Sequence, residues 1–346
     1  MDFSLTREQA LVKKMMQAFT ENEVKPIAAE IDRTHQYPAE NVAKLFKLGV
    51  MGMTVPKEYG GMGADQVAAA ICTEELAKAC ASTSDIVAGH TLCCVPILEH
   101  GNEEQKKKYL PMLTKGGVLG GMGITEPNAG SDASKSQTEA KLEGDHYVIN
   151  GSKIFITNGP DAGVFVIFAM TDKTKGNKGI SAFIVDKDDP GFSIGKIEHK
   201  MGLRASETAE LIFQDCRVPK ENLIGVEGKG FSYAMTILDS SRIACGAQCA
   251  GLAEGAIELA VKYAGERVQF GKPIGANEGI QWYLANMATR TECAKWMTYR
   301  AAYLKASGQK HSKEAAMAKL FGSETARYVA NLALQIHGGY GYMKDY

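Results

Sequence analysis

A chain of 346 residues is too long for one ordinary domain and long enough to bury two or three cores. It is 45% apolar and 23% charged, the balance of a globular protein, and 39 Lys and Arg against 40 Asp and Glu leave a net charge of −1, so no basic surplus marks nucleic acid or an anionic membrane as its main partner. The chain has no run approaching eighteen apolar residues and no charged-then-apolar leader in "MDFSLTREQALVKK", which predicts no membrane insertion and a cytoplasmic location.

In chain order, residues 1–115 read as a helical domain. Thr6-Arg-Glu-Gln9 is a capping-box pattern ahead of Leu11, Met15, Met16 and Phe19 at helical spacing, and Pro26, Pro38, Pro56 and "EYGGMG" punctuate the next helices and loops. "CASTSDIVAGH" (80–90) raises a question: Asp85 is either a helix cap or a carboxylate held in apolar surroundings. His90 reads as a packed histidine. The eight cysteines form no CxxC pairs and the seven histidines are scattered, so reduced, buried thiols and no metal site are expected.

Residues 116–228 change character. "HYVINGSKIFITNG" places Asn150-Gly151 between two apolar runs, a type I′ hairpin signal. "VFVIFAMT", "GISAFIVD" and "TAELIFQDCRV" are further strands separated by turn clusters and not by helices, which predicts a central antiparallel β-barrel. Residues 229–346 return to long helices, near 231–267, 275–307 and 312–337, joined by short loops as in a helical bundle. The fold class is therefore α+β: helical domain, β-barrel, helical bundle.

Several stretches can carry chemistry. "GITEPNAGSDAS" (123–134) is a loop rich in backbone N–H groups and hydroxyls, usable around a ligand or an ordinary surface loop. "KIFITNG" puts Phe155 and Thr157 two apart on one strand face, which suits a flat heterocycle or a plain core strand. Arg267 in "ERVQFGKPI" can meet a phosphate or complement a helix C-terminus, and "QIHGGYGY" can approach a ligand or cap a helix.

Taken together and in this order, "EYGGMG", "TEPNAGSDAS", "NGSKIFITNG", "KMGLRASETAELIFQDCRVPKENLIG", "GKGFSYAM", "RVQFGKP" and "QIHGGYGY" resemble the acyl-CoA dehydrogenase family over the whole chain, and most of all its short-chain branch. The resemblance implies FAD-dependent dehydrogenation of a small acyl-CoA thioester, with electron transfer flavoprotein as acceptor and a homotetramer as the assembly. It implies that Met122, Ile124, Thr125, Ser131, Phe155, Ile156 and Thr157 hold the flavin, with Thr157 near N5. Arg267, Phe270, Gln335, Gly338 and Gly339 would touch the FAD of a neighbouring subunit. Ser131, Asp239 and Arg242 would contact CoA, and Phe231 and Met235 the acyl channel.

Three positions depart from the pattern. The loop that carries the short-chain branch's glutamate base falls past Tyr346. Ser241 stands where other branches carry their base, and Glu278 where the family has a FAD-binding glutamine. These departures bring Asp85 forward, because relatives acting on cyclic acyl-CoAs resemble this arrangement and use an aspartate there. Three alternatives stay open beside the linear short-chain substrate: a cyclic acyl-CoA with Asp85 as base, a flavin-binding scaffold without activity, and an acyl-CoA oxidase.

Overall fold

A computed structural model describes residues 4–346; the first three residues of the stretch read for a leader lie outside it. The chain divides into two compact units. One takes the chain up to Ala28, Asp65–Ser84 and Asp239–Tyr346; the other takes Ala29–Ala64 and Asp85–Leu238.

The first unit is helical. α1 (Arg7–Phe19) starts at the expected capping box: Thr6 Oγ1 accepts from the Gln9 amide at 3.2 Å and Gln9 Oε1 from the Thr6 amide at 3.0 Å. The chain leaves this unit within α2 (Lys25–Thr34). α4 (Gln66–Ala79) is capped by Asp65, whose carboxylate accepts from the Ala68 amide. The three long C-terminal helices are α7 (Gly230–Glu266), α8 (Glu278–Ala306) and α9 (Ser312–Ile336), close to the bounds read from the sequence. Between α7 and α8, β9 (Val268–Gln269) and β10 (Lys272–Pro273) make a two-residue hairpin. Its turn residues, Phe270 and Gly271, have φ of 52° and 73°, the positive pair that a type I′ turn requires.

The second unit holds α3 (Ala39–Lys47), most of α5 (Ala81–His100), α6 (Glu103–Thr114) and the sheet. α5 is long and apolar enough to cross a membrane by length and composition, and 67% of its most apolar window is buried inside the protein. The strands are β1 (Gly120–Gly123), β2 (Glu139–Glu143), β3 (His146–Thr157), β4 (Val164–Met170), β5 (Ile180–Asp186), β6 (Phe192–Ile197), β7 (Thr208–Pro219) and β8 (Leu223–Ile224). They pair in the order β6-β7-β3-β2-β4-β5-β8, with β1 beside β4.

β4 and β5 are buried along almost their whole length, which explains their unbroken apolar sequences. Phe165, Ile167, Phe183 and Val185 share one core with Ile149, Leu211 and Phe213. Val166, Phe168 and Ile184 join another with Cys93 and Ile97 of α5 and Tyr109 and Leu113 of α6.

Two expectations are corrected. The sheet is mixed, because β1 and β2 run parallel to β4. The β2–β3 hairpin intervenes between β1 and β4 and acts as the crossover that a parallel pair needs. Asn150-Gly151 is also not a hairpin turn. β3 runs straight through it, and the reversal lies at Gly144-Asp145, with Gly144 at φ 67°. Gly151 instead sits at a register shift between β3 and β7, at φ 142°, where an added Cβ would be 2.6 Å from Thr138 Oγ1. Asn150 Oδ1 accepts from the Asp215 amide across that bulge.

Candidate active site

β3 ends in an unusual way. Its register with β7 slips between Lys153 and Ile156, and Phe155 takes φ 60°, a left-handed conformation that costs a non-glycine residue about 1–2 kcal/mol. The slip turns the Phe155 ring outward, 61% exposed, while Ile156 stays in the sheet core. Thr157 comes next, paired with Thr208 of β7. Asn158 is left-handed too, and its Nδ2 donates to the Ile86 carbonyl of α5 and the Gly120 carbonyl of β1, at 3.1 and 3.2 Å. Gly89 lets α5 close on this strand end, since a Cβ there would lie 2.7 Å from Thr157 Cγ2.

Beside that strand end, Met122 within β1 and Ile124 and Thr125 just after it are all half-buried. Ser131 is exposed on the loop beyond. An outward aromatic ring on strained backbone, a hydroxyl next to it and an apolar segment alongside make a surface for one flat heterocycle. Asn158 Oδ1, buried and without a hydrogen-bond partner among the described residues, leaves an acceptor at the same place. These residues fit a flavin ring.

Underneath lies a buried ion pair that sequence reading missed. Lys153 Nζ donates to Glu126 Oε1 at 2.6 Å, with the two side chains 0% and 4% exposed. Burial pulls the Lys153 ammonium down to about 8. Burial also works against the Glu126 charge, but Lys153, Ser136 and the Gln137 amide outweigh it and hold that carboxyl at about 2. The two residues are 27 apart in sequence, and nothing in either local pattern announces their meeting.

A narrow recess in the same unit, with no room for a water molecule in this conformation, is lined by Ile124, Ala133, Ser136, Phe168, Ile180, Phe231 and Ala234. Phe231 is thus brought to the wall that Ile124 shares. Met235 lies on the same helix but is exposed and does not line the recess.

Asp85 is not a cap. α5 begins at Ala81, which puts Asp85 in its second turn. There its carboxylate accepts from the Ser206 hydroxyl at 2.9 Å. Burial raises its pKa, and the Ser206 bond and the Lys200 charge offset part of that rise. One helical turn later on α5 comes Gly89, the residue pressed against Thr157. His90 is packed as expected: it is fully buried, and Nδ1 accepts from the Gly120 amide at 2.9 Å.

The remaining candidates lie in the helical unit. Asp239 and Arg242 form an ion pair one helical turn apart, and the Ser312 hydroxyl also donates to Asp239. Arg267 stands over the Tyr340 ring, 5.6 Å from its centroid. Phe270 is 97% exposed at the hairpin tip, and Gln335, Gly338, Gly339 and Glu278 are exposed as well. No cluster of His, Cys, Asp and Glu suited to a metal ion occurs among the described residues.

Three family models match this chain: the N-terminal, middle and C-terminal domains of acyl-CoA dehydrogenase, over residues 6–117, 121–216 and 228–346. The chain belongs to the acyl-CoA dehydrogenase family. An acryloyl-CoA reductase (NADH) of Anaerotignum propionicum is 56% identical over 100% of this chain and 88% of its own length. A short-chain specific acyl-CoA dehydrogenase of Clostridium acetobutylicum is 55% identical over 100% and 92%. Butyryl-CoA dehydrogenase of Megasphaera elsdenii superposes with a TM-score of 0.98, at 45% identity over 100% of this chain and 92% of that one. The order of helical domain, β domain and helical domain is that of the acyl-CoA dehydrogenase fold, and FAD-dependent acyl-CoA dehydrogenation is the family's chemistry.

Proposed function

We propose that this acyl-CoA dehydrogenase oxidises a short, linear acyl-CoA at its α,β bond and passes the electrons to electron transfer flavoprotein, as a homotetramer in the cytoplasm. The observation that carries the reading is the recess beside Ile124. Its lining is apolar except for Ser136, and Ser136 is already bonded to Glu126 and Lys153, so its walls have the character to receive a small alkyl chain once side chains such as Phe231 move aside. FAD, when bound, supplies the hydride acceptor.

The chain's residues supply position. Met122, Ile124, Thr125, Ser131, Phe155, Ile156 and Thr157 are proposed to hold the flavin ring, with Phe155 offering an aromatic face and Thr157 a hydroxyl. Phe231 and Met235 are proposed for the acyl chain, and Ser131, Asp239 and Arg242 for CoA. Holding the thioester against fixed donors would acidify its α-proton, since charge develops on the carbonyl oxygen as that proton passes to a carboxylate base; Ser241 cannot be that base, and in the linear reading the role falls to the glutamate that the resemblance puts past Tyr346. Arg267, Phe270, Gln335, Gly338 and Gly339 are proposed to serve the FAD of a neighbouring subunit. Their exposure, and the bare Phe270 ring above all, supports an assembly that covers them.

A second reading makes Asp85 the base for a cyclic acyl-CoA. It is favoured by the position of Asp85 inside α5, desolvated and one turn from the residue that packs on Thr157. The test is anaerobic titration of the FAD-loaded protein with butyryl-CoA and with a cyclohexene-carboxyl-CoA, using wild type and Asp85→Asn. Under the main reading butyryl-CoA bleaches the flavin, and Asp85→Asn keeps the rate within about threefold. Under the second, only the cyclic thioester bleaches it, and Asp85→Asn slows the reaction about 100-fold or more. A yellow protein that no acyl-CoA bleaches leaves the scaffold reading. Because one relative is named for reduction, the titration includes the enoyl-CoA with a reduced electron donor.

A further inference from the structure

The segment proposed to hold the flavin owes its path to the buried Lys153–Glu126 pair. Besides Glu126, Lys153 Nζ donates to the Ile124 carbonyl at 3.3 Å and to Ser136 Oγ at 3.2 Å. The Glu126 carboxylate accepts from Ser136 Oγ at 2.5 Å, the Gln137 amide at 2.6 Å and the Thr138 amide at 3.1 Å. Both charges are therefore saturated with partners.

The three residues after β1, Ile124 to Glu126, are each tied to this cluster or next to it. Ile124 gives its carbonyl to the ammonium. Thr125 gives its carbonyl to the Ile154 amide at 2.9 Å, one residue beyond Lys153. Glu126 and Ala129 exchange both backbone hydrogen bonds at 3.1 Å. Ile124 and Ser136 also line the recess, so one cluster braces both the flavin-side segment and a wall of the acyl site.

Stability alone does not account for such a pair. Desolvating two charges costs as much as their attraction returns, and apolar residues of similar volume are often as stable or more so. What an apolar pair lacks is direction: it cannot fix the Ile124 carbonyl, the Ser136 hydroxyl and two amides at set positions.

We propose that Lys153, Glu126 and Ser136 are positioning residues which, by fixing Ile124 and Thr125 at the end of β1, set how tightly the flavin is held and at what potential it is reduced. The inference rests on the flavin reading of that segment.

The test uses the full chain with FAD and two charge-neutral changes. Lys153→Met combined with Glu126→Leu replaces the pair without altering net charge. Ser136→Ala removes one hydroxyl and keeps both ions. The readouts are the FAD dissociation constant, the fine structure of the bound flavin's visible spectrum, the midpoint potential against redox dyes, and far-ultraviolet circular dichroism for folding.

The double variant is expected to fold, to bind FAD about tenfold or more weakly and to show a shifted potential, with Ser136→Ala moving both the same way by about two- to fivefold in affinity. A folded double variant whose affinity and potential match wild type overturns the proposal. If the double variant does not fold, Ser136→Ala decides by the same comparison. Wild-type protein that takes up no FAD overturns the flavin reading itself, a result separate from any variant.

Discussion

The imidazole of His90 stays neutral because it is sealed in the β-containing unit. Burial lowers its pKa from the usual 6.5 to about 4, although backbone hydrogen bonds favour the charged form. With Nδ1 accepting from Gly120, the network assigns the proton to Nε2, which faces Cys94 Sγ at 3.4 Å. Below pH 6.5 the unfolded chain takes up a proton that the folded chain refuses, so the stability contribution present above 6.5 is lost as pH falls towards 4. A displacement from 6.5 to about 4 corresponds to about 3 kcal/mol across that window. His90→Asn keeps an acceptor for the Gly120 amide and cannot titrate. Denaturant unfolding at several pH values should show the variant weaker at pH 7, by about 1–3 kcal/mol for the lost volume, yet flatter between 6.5 and 4. Parallel pH curves for the two proteins would sink this account.

At the scale of elements, what a sequence reveals depends on whether its signal is local. The capping box at Thr6–Gln9 and the spans of α7 to α9 were legible because caps and helical spacing act within a few residues. Phe155 and Thr157 were legible as an aromatic–hydroxyl pair, but not the bulge that turns Phe155 outward, since that depends on the register with β7. Asn150-Gly151 misled for the same reason: its glycine answers Thr138 and β7, not a turn. The cap alternative for Asp85 rested on its Ser and Thr neighbours, while the helix had already begun at Ala81. Helix packing carries the same lesson in α7. A Cβ on Gly251 would stand 2.1 Å from the Glu74 carbonyl oxygen of α4, and that oxygen belongs to backbone that cannot swing aside. Alanine is favoured over glycine in a helix by about 1 kcal/mol, but forcing two helices apart costs about 1–3 kcal/mol or more. Gly251→Ala should therefore be net destabilising, by up to about 2 kcal/mol, in thermal or denaturant unfolding. Gly279→Ala in α8, where no atom lies within 4 Å of the added carbon, should be neutral or stabilising by up to about 1 kcal/mol. Equal effects at both sites would refute the packing argument.

For the whole molecule the open question is what covers the helical unit's bare aromatic groups. Phe270 is 97% and Tyr342 90% exposed, and Trp282, Val268 and Leu334 are each at least half exposed. Single exposed apolar residues are ordinary; several large ones on the hairpin, α8, α9 and the segment after it are what the proposed assembly would cover. The hairpin tip is the most informative of them. Phe270 holds its ring out on a type I′ turn, 97% exposed, so its side chain adds little to the packing of the single chain. Phe270→Asp should leave secondary structure and the unfolding of the isolated chain nearly unchanged. If the proposed tetramer forms through this tip, the change should lower its mass in sedimentation or light scattering, because a buried unpaired carboxylate is strongly unfavourable at an apolar contact. If Arg267 and Phe270 also reach a neighbour's cofactor, FAD affinity should fall together with the mass, and raising protein concentration should restore both in parallel. A Phe270→Asp protein that keeps both its mass and its FAD would leave the hairpin outside the assembly. One that keeps its mass and loses FAD would place Phe270 at the cofactor without a part in holding subunits together.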